Sequence, residues 1–79
     1  MTRPLPFKCL VGDEPEEVTN PFSGESITIP ADAVAVYHMT MAANWVAEQS
    51  GNPKHWAIVR KGLDWFRQYE PKAYMVLLD

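Results

Sequence analysis

A single cysteine, Cys9, stands among the 79 residues, so no disulfide can close within the chain and no cysteine-based zinc site can be completed. Long apolar runs are missing as well. The longest mostly apolar stretch, residues 31–47, contains Asp32, His38, Thr40 and Asn44, too short and too polar for a bilayer span. The opening residues 1–6 lack the apolar core of a secretion signal. These absences predict a soluble chain in a reducing cytoplasm. No phosphate-binding glycine loop is present, and four glycines and two histidines leave few parts for catalysis.

Length sets a second bound. A chain of 79 residues and 9.0 kDa holds one core, and cannot house a dinucleotide-binding sheet or a barrel. The net charge of −3 argues against general attraction to nucleic acid. The charge is unevenly placed: residues 1–51 carry two bases against seven acids, and residues 52–79 five bases against three acids.

What is present points to an α+β domain. Residues 1–17 hold three of the seven prolines and the acidic run Asp13, Glu14, Glu16, Glu17, and are expected to form an extended arm. Phe7 to Val11 has the composition for an added edge strand. Residues 18–79 are expected to form one compact domain. Its β-hairpin covers 18–29, from the polar–apolar alternation of Ser26 to Ile29 and the turn-forming Asn20-Pro21-Phe22-Ser23-Gly24. Pro30 and Asp32 suit the start of a helix over 31–49, with Gly51 to stop it. Asn52-Pro53 starts a second helix, 53–69, and Pro71 a short terminal one, 71–78.

Placed at 100° per residue, the second helix carries two apolar seams: Trp56, Val59, Leu63 and Phe66, and beside them Ile58, Gly62, Trp65 and Tyr69. The first helix is apolar around most of its circumference, with Thr40, Asn44 and Glu48 as a polar strip. Two helices and a hairpin offer too little protein to cover so much apolar surface. The excess predicts an interface, with Val36, Met39, Ala43, Val46, Ile58, Trp65 and Tyr69 as its residues and a second copy as its simplest occupant. Burial by the arm and hairpin within a monomer is the competing expectation.

Chemical constellations are sparse. Lys8 could lower the Cys9 pKa if the thiol were exposed, but no histidine follows at a useful spacing, so a buried or incidental thiol is the expectation. His38 and His55 have no ligand at i+4, and no metal site or cofactor is expected. A third expectation is a small enzyme or metal protein whose site is assembled at a dimer interface from Tyr37, His38 or His55. Lys54, Arg60, Lys61 and Arg67 share one arc of the second helix and could follow a nucleic-acid backbone, but Asp64 sits within reach of both Arg60 and Arg67. Asn20-Pro21-Phe22 matches the short turn ligand of EH domains, and also has a sufficient role as a hairpin turn.

The order Asn-Pro-Phe-Ser-Gly-Glu, then Ile-Pro-Ala-Asp-Ala-Val, then Trp-Phe-Arg and Pro-Lys-Ala-Tyr-Met-Val-Leu-Leu-Asp resembles small uncharacterised proteins of tailed phages, cyanophages among them, across residues 18–79. The resemblance implies a phage accessory protein and carries no site residues with it. The combined expectation is a non-enzymatic accessory or regulatory protein that works through protein–protein contact and self-associates, with nucleic-acid binding through the second helix as the alternative.

Overall fold

A computed structural model describes residues 3–78. β1 (Glu16–Thr19) and β2 (Ser26–Ile29) pair antiparallel, with Val18 opposite Ile27 and Glu16 opposite Ile29. The turn between them closes through Asn20, whose backbone carbonyl accepts from the Gly24 N–H at 2.9 Å while its side-chain oxygen accepts from the Phe22 N–H at 2.9 Å. The Asn20 side-chain amide also donates to the Val76 carbonyl at 3.0 Å. One residue therefore shapes the turn and ties the hairpin to the chain's last described turn, a reason for asparagine here that stands apart from any short-motif reading.

α1 (Ala31–Ser50) follows at once, with Pro30 as its extended N-cap rather than its first helical residue. It stops at Gly51, whose φ of 68° is left-handed and whose N–H closes on the Ala47 carbonyl at 2.7 Å, a conformation that costs glycine nothing. Asn52 then caps α2 (Pro53–Tyr69), its side chain accepting from the Lys54 N–H at 2.9 Å. α3 (Pro71–Ala73) runs directly into a single π-helical turn, Tyr74–Leu78. The expected terminal helix over 71–78 is thus wound in two ways. Ala73 in α3 and Leu77 in the π-helical turn are both buried in the core.

The compact α+β arrangement is as expected, with the helices packed on the hairpin. Its core is Ile29, Ala33, Val34, Val36, Tyr37, Trp65, Phe66, Ala73 and Leu77. Tyr37 and Trp65 each meet Phe66 edge-on, at ring-centre distances of 6.5 and 5.3 Å. No described helix is long and apolar enough to cross a membrane.

α1 and α2 cross where Gly62 meets Thr40. A β-carbon placed on Gly62 would overlap the Thr40 hydroxyl oxygen, so only glycine admits this approach. Thr40 is fully buried, and its hydroxyl donates to the Val36 carbonyl one turn back at 2.7 Å. The polar strip expected on α1 is therefore corrected at its first member. Thr40 faces the crossing, because a back-bonded hydroxyl consumes its own polarity, while Asn44 and Glu48 lie further out.

The stretch before the hairpin is also corrected. Phe7 to Val11 forms no strand, and β1 takes in Glu16 and Glu17. Phe7 and Cys9 pack against the core as partly buried side chains, so the arm covers part of the apolar excess. Leu10 to Pro15, in contrast, is exposed throughout.

Candidate functional site

The densest polar constellation in the molecule is built around Arg3. α1 and α2 are antiparallel, so the start of the first and the end of the second lie at the same end of the fold. Asp32 stands in the first turn of α1, Glu70 caps α2, and Trp65 and Tyr69 occupy its last turns. The Arg3 guanidinium enters between them. Its Nε and Nη2 donate to the two Asp32 carboxylate oxygens at 2.9 and 2.7 Å. Its Nη1 donates to Glu70 Oε2 at 2.6 Å and to the Tyr69 carbonyl at 3.2 Å. The same group lies 4.8 Å from the Trp65 ring centre and 5.8 Å from that of Tyr69. The next residue completes the seat: the Pro4 carbonyl accepts from the Trp65 indole N–H at 2.7 Å.

Both carboxylates and both rings act in one direction. A fork-shaped cation receives a bidentate carboxylate, a second carboxylate, a helix-end carbonyl and two aromatic faces. Arg3 holds the Asp32 carboxyl below its ordinary value, chiefly through their hydrogen bond, and the two carboxylates raise the Arg3 pKa in return, again led by the Asp32 hydrogen bond. The signal available in the sequence was only an arginine ahead of two prolines. Asp32 reads as a helix-dipole residue and Glu70 as a helix stop, and their convergence needs the antiparallel packing of α1 on α2.

The residues expected to form an interface divide into two groups. Val36, Ala43 and Trp65 are at most 7% exposed and belong to the core of the single chain, so they are not surface for a partner. The physical reason is that the apolar excess of α1 is partly consumed by α2 and by the hairpin side. Met39 is exposed, while Val46, Ile58 and Tyr69 are half-buried. The larger apolar exposures lie elsewhere: Leu10 in the arm, Phe22 in the hairpin turn and Met75 in the terminal turn, and on the helical pair Trp45 at 64% and Trp56 at 42%, both within about two turns of the α1–α2 corner. Trp56 lies on the same apolar seam as the buried Val59 and Phe66. It lines a groove with Asn44 of α1 and remains 42% exposed there.

A shallow groove beside that corner is lined by Asn44, Trp56, Val59, Arg60, Leu63, Asp64 and Arg67. All four basic residues of the α2 arc, Lys54, Arg60, Lys61 and Arg67, are exposed. Asp64 reaches Arg67 at 3.5 Å; among the described residues it makes no ion pair with Arg60. Arg67 also donates to the Tyr74 hydroxyl at 3.1 Å and lies 5.1 Å from that ring centre. Hydrogen bonding to Tyr74 raises its pKa, and one of the four cations is thereby committed within the fold.

A second cleft, of about 500 Å³, separates the acidic stretch from α1 and is lined by Leu10, Asp13, Glu14, Glu16, Val34 and His38. His38 is exposed and tilted against Tyr37 at 5.9 Å. Among the described residues no three His, Cys, Asp or Glu side chains come close enough to hold a metal ion. His55 is half-buried near the start of α2, with its Nδ1 unpartnered. Cys9 is half-buried, and burial first, then the Asp32 charge, push its thiol pKa up. The condition for activation by Lys8, an exposed thiol, is not met, and Cys9 is a poor nucleophile at neutral pH. Set beside known proteins, this chain matches no family model, no curated protein and no solved structure.

Proposed function

We propose that the protein is a non-enzymatic accessory protein that works by binding other protein chains, and that a second copy of itself is the first of these. The exposure of Trp45 and Trp56 at one corner of the helical pair carries this reading. Tryptophan is among the residues most enriched where protein surfaces meet, and Trp56 in the groove gives a partner an anchor with a polar rim from Asn44, Arg60 and Asp64. The resemblance to small phage proteins fits an accessory role, and a cytoplasmic setting suits a half-buried free thiol.

Sedimentation equilibrium at micromolar concentration tests it. The intact chain should sediment at about twice its 9.0 kDa mass, and a Trp45→Ser/Trp56→Ser variant at the monomer mass with unchanged circular dichroism. A clean monomer for the intact chain would remove the self-association.

The exposed cations beside Trp56 support a second reading, nucleic-acid binding through α2. An aromatic face next to Arg60 is the combination that holds an unstacked base on a phosphate track. Binding should then weaken steeply with salt and vanish in an Arg60→Ala/Lys61→Ala variant. No retardation of DNA or RNA at low salt would eliminate this alternative.

A further inference from the structure

The seat of Arg3 is more elaborate than a surface ion pair, and it lies at the opposite end of the helices from the exposed tryptophans. We infer that Asp32, Glu70, Trp65 and Tyr69 form a guanidinium-binding pocket, occupied within the chain by Arg3, and that the same pocket accepts Arg3 of a second copy by exchange of the segment 3–9.

Three observations lead there. The pocket reads a guanidinium specifically: the bidentate Asp32 contact, the Glu70 contact at 2.6 Å and the ring 4.8 Å from the guanidinium carbon match a planar fork rather than a point charge. The attachment of the segment is concentrated at a few places. These are the guanidinium, the Pro4 carbonyl on Trp65, and the packing of Phe7 and Cys9. The connection to the body is unconstrained. Residues 10–15 are exposed, Leu10 at 99%, and among the described residues none of them hydrogen-bonds to the helices or the hairpin.

Six residues can extend over roughly 20 Å, the order of the molecule's shortest dimension of 20 Å, so the 3–9 segment can reach a neighbouring body without disturbing its own. Every contact made within one chain can be made between two, which makes exchange a low-cost route to a dimer. In the closed chain the tethered arginine competes at an effective concentration of about millimolar, and holds the pocket against outside ligands. This site is separate from the Trp45–Trp56 corner, and the two can fail independently.

The test uses two full-length variants and one peptide. Arg3→Ala keeps the pocket and empties it; Asp32→Asn/Glu70→Gln keeps the arm and blunts the pocket. Mixed, they should form one-to-one heterodimers in sedimentation that neither forms alone, whereas a tryptophan-corner dimer would form in each variant separately. A labelled acetyl-Arg-Pro-Leu-Pro-Phe-Lys peptide should bind Arg3→Ala saturably, at least about tenfold more tightly than it binds the intact chain, and should lose about tenfold when its arginine is replaced by lysine. Arg3→Lys serves as acceptor should Arg3→Ala not fold. Absence of mixed dimers overturns the exchange. Absence of peptide binding up to about 1 mM, or equal binding of the arginine and lysine peptides, overturns the pocket.

Discussion

Arg3 holds three elements by one side chain. Its removal strands Asp32 and Glu70, two carboxylates brought within hydrogen-bond reach of one cation, and frees the 3–9 segment. Arg3→Ala should therefore cost about 1–3 kcal/mol at neutral pH, the scale of partly buried charge-assisted bonds. The pH dependence has a definite sign. Asp32 has a folded pKa lowered below its ordinary 3.8, so its contribution is complete above that value and is lost as pH falls through the lowered one. Urea unfolding at pH 7 and at pH 2–3, on about that scale of carboxylate titration, should show the intact chain and Arg3→Ala converging in stability toward acid. A constant gap would separate the clamp from the Asp32 ionisation. Cys9 moves the other way: its raised pKa makes the folded chain a poorer acid than the unfolded one, and stability falls as pH rises past the thiol's ordinary 9.0.

Among elements, the crossing of α1 on α2 rests on the smallest residue available. Gly62 in an exposed helix would be a weakness of about 1 kcal/mol relative to alanine. Here it is buried against Thr40, and its lack of a β-carbon sets how closely the helices approach. Gly62→Ala should destabilise by about 1–3 kcal/mol despite its better helix propensity, because the new methyl must displace Thr40. Thr40→Ala removes the hydroxyl and methyl that the new group would strike. In that background Gly62→Ala should cost markedly less, and a double-mutant cycle by thermal unfolding would read the coupling. Additive effects would mean that the helices part by another route.

Over the whole molecule, stability should be distributed as burial is. The amides of 36–47 and 59–66 surround Phe66, Val36 and Thr40, each fully or almost fully buried, and should be the last to exchange with deuterium. Residues 10–15 should exchange at once, and residues 3–9 at a rate governed by release of the Arg3 clamp. Hydrogen exchange on Arg3→Ala should then accelerate in 3–9 and leave 59–66 nearly as protected as before. Acceleration spread evenly over the chain would show that the segment is part of the core's cooperative unit.

The local grammar of this chain was legible in its residues. Alternation marked β2, Asn20 to Gly24 marked the turn, and Gly51, Asn52-Pro53 and Pro71 punctuated the helices, because each of these signals acts within a few residues of itself. Apolar periodicity placed Val59 and Phe66 on one seam of α2 for the same reason, while Trp65, expected at an interface, is buried in the core of the single chain. Only the tertiary structure decided which apolar surface would remain. Helical projection treats Val36, Trp45 and Trp56 alike, but burial depends on what lies opposite, and the corner leaves the two tryptophans open while α2 and the hairpin side close over Val36. Thr40 crossed from the polar to the buried class on contact with Gly62. The Arg3 seat lay furthest from view: Arg3 is 29 residues from Asp32 and 67 from Glu70. Nothing local to any of the three foretells a pocket that forms only where two antiparallel helix ends meet.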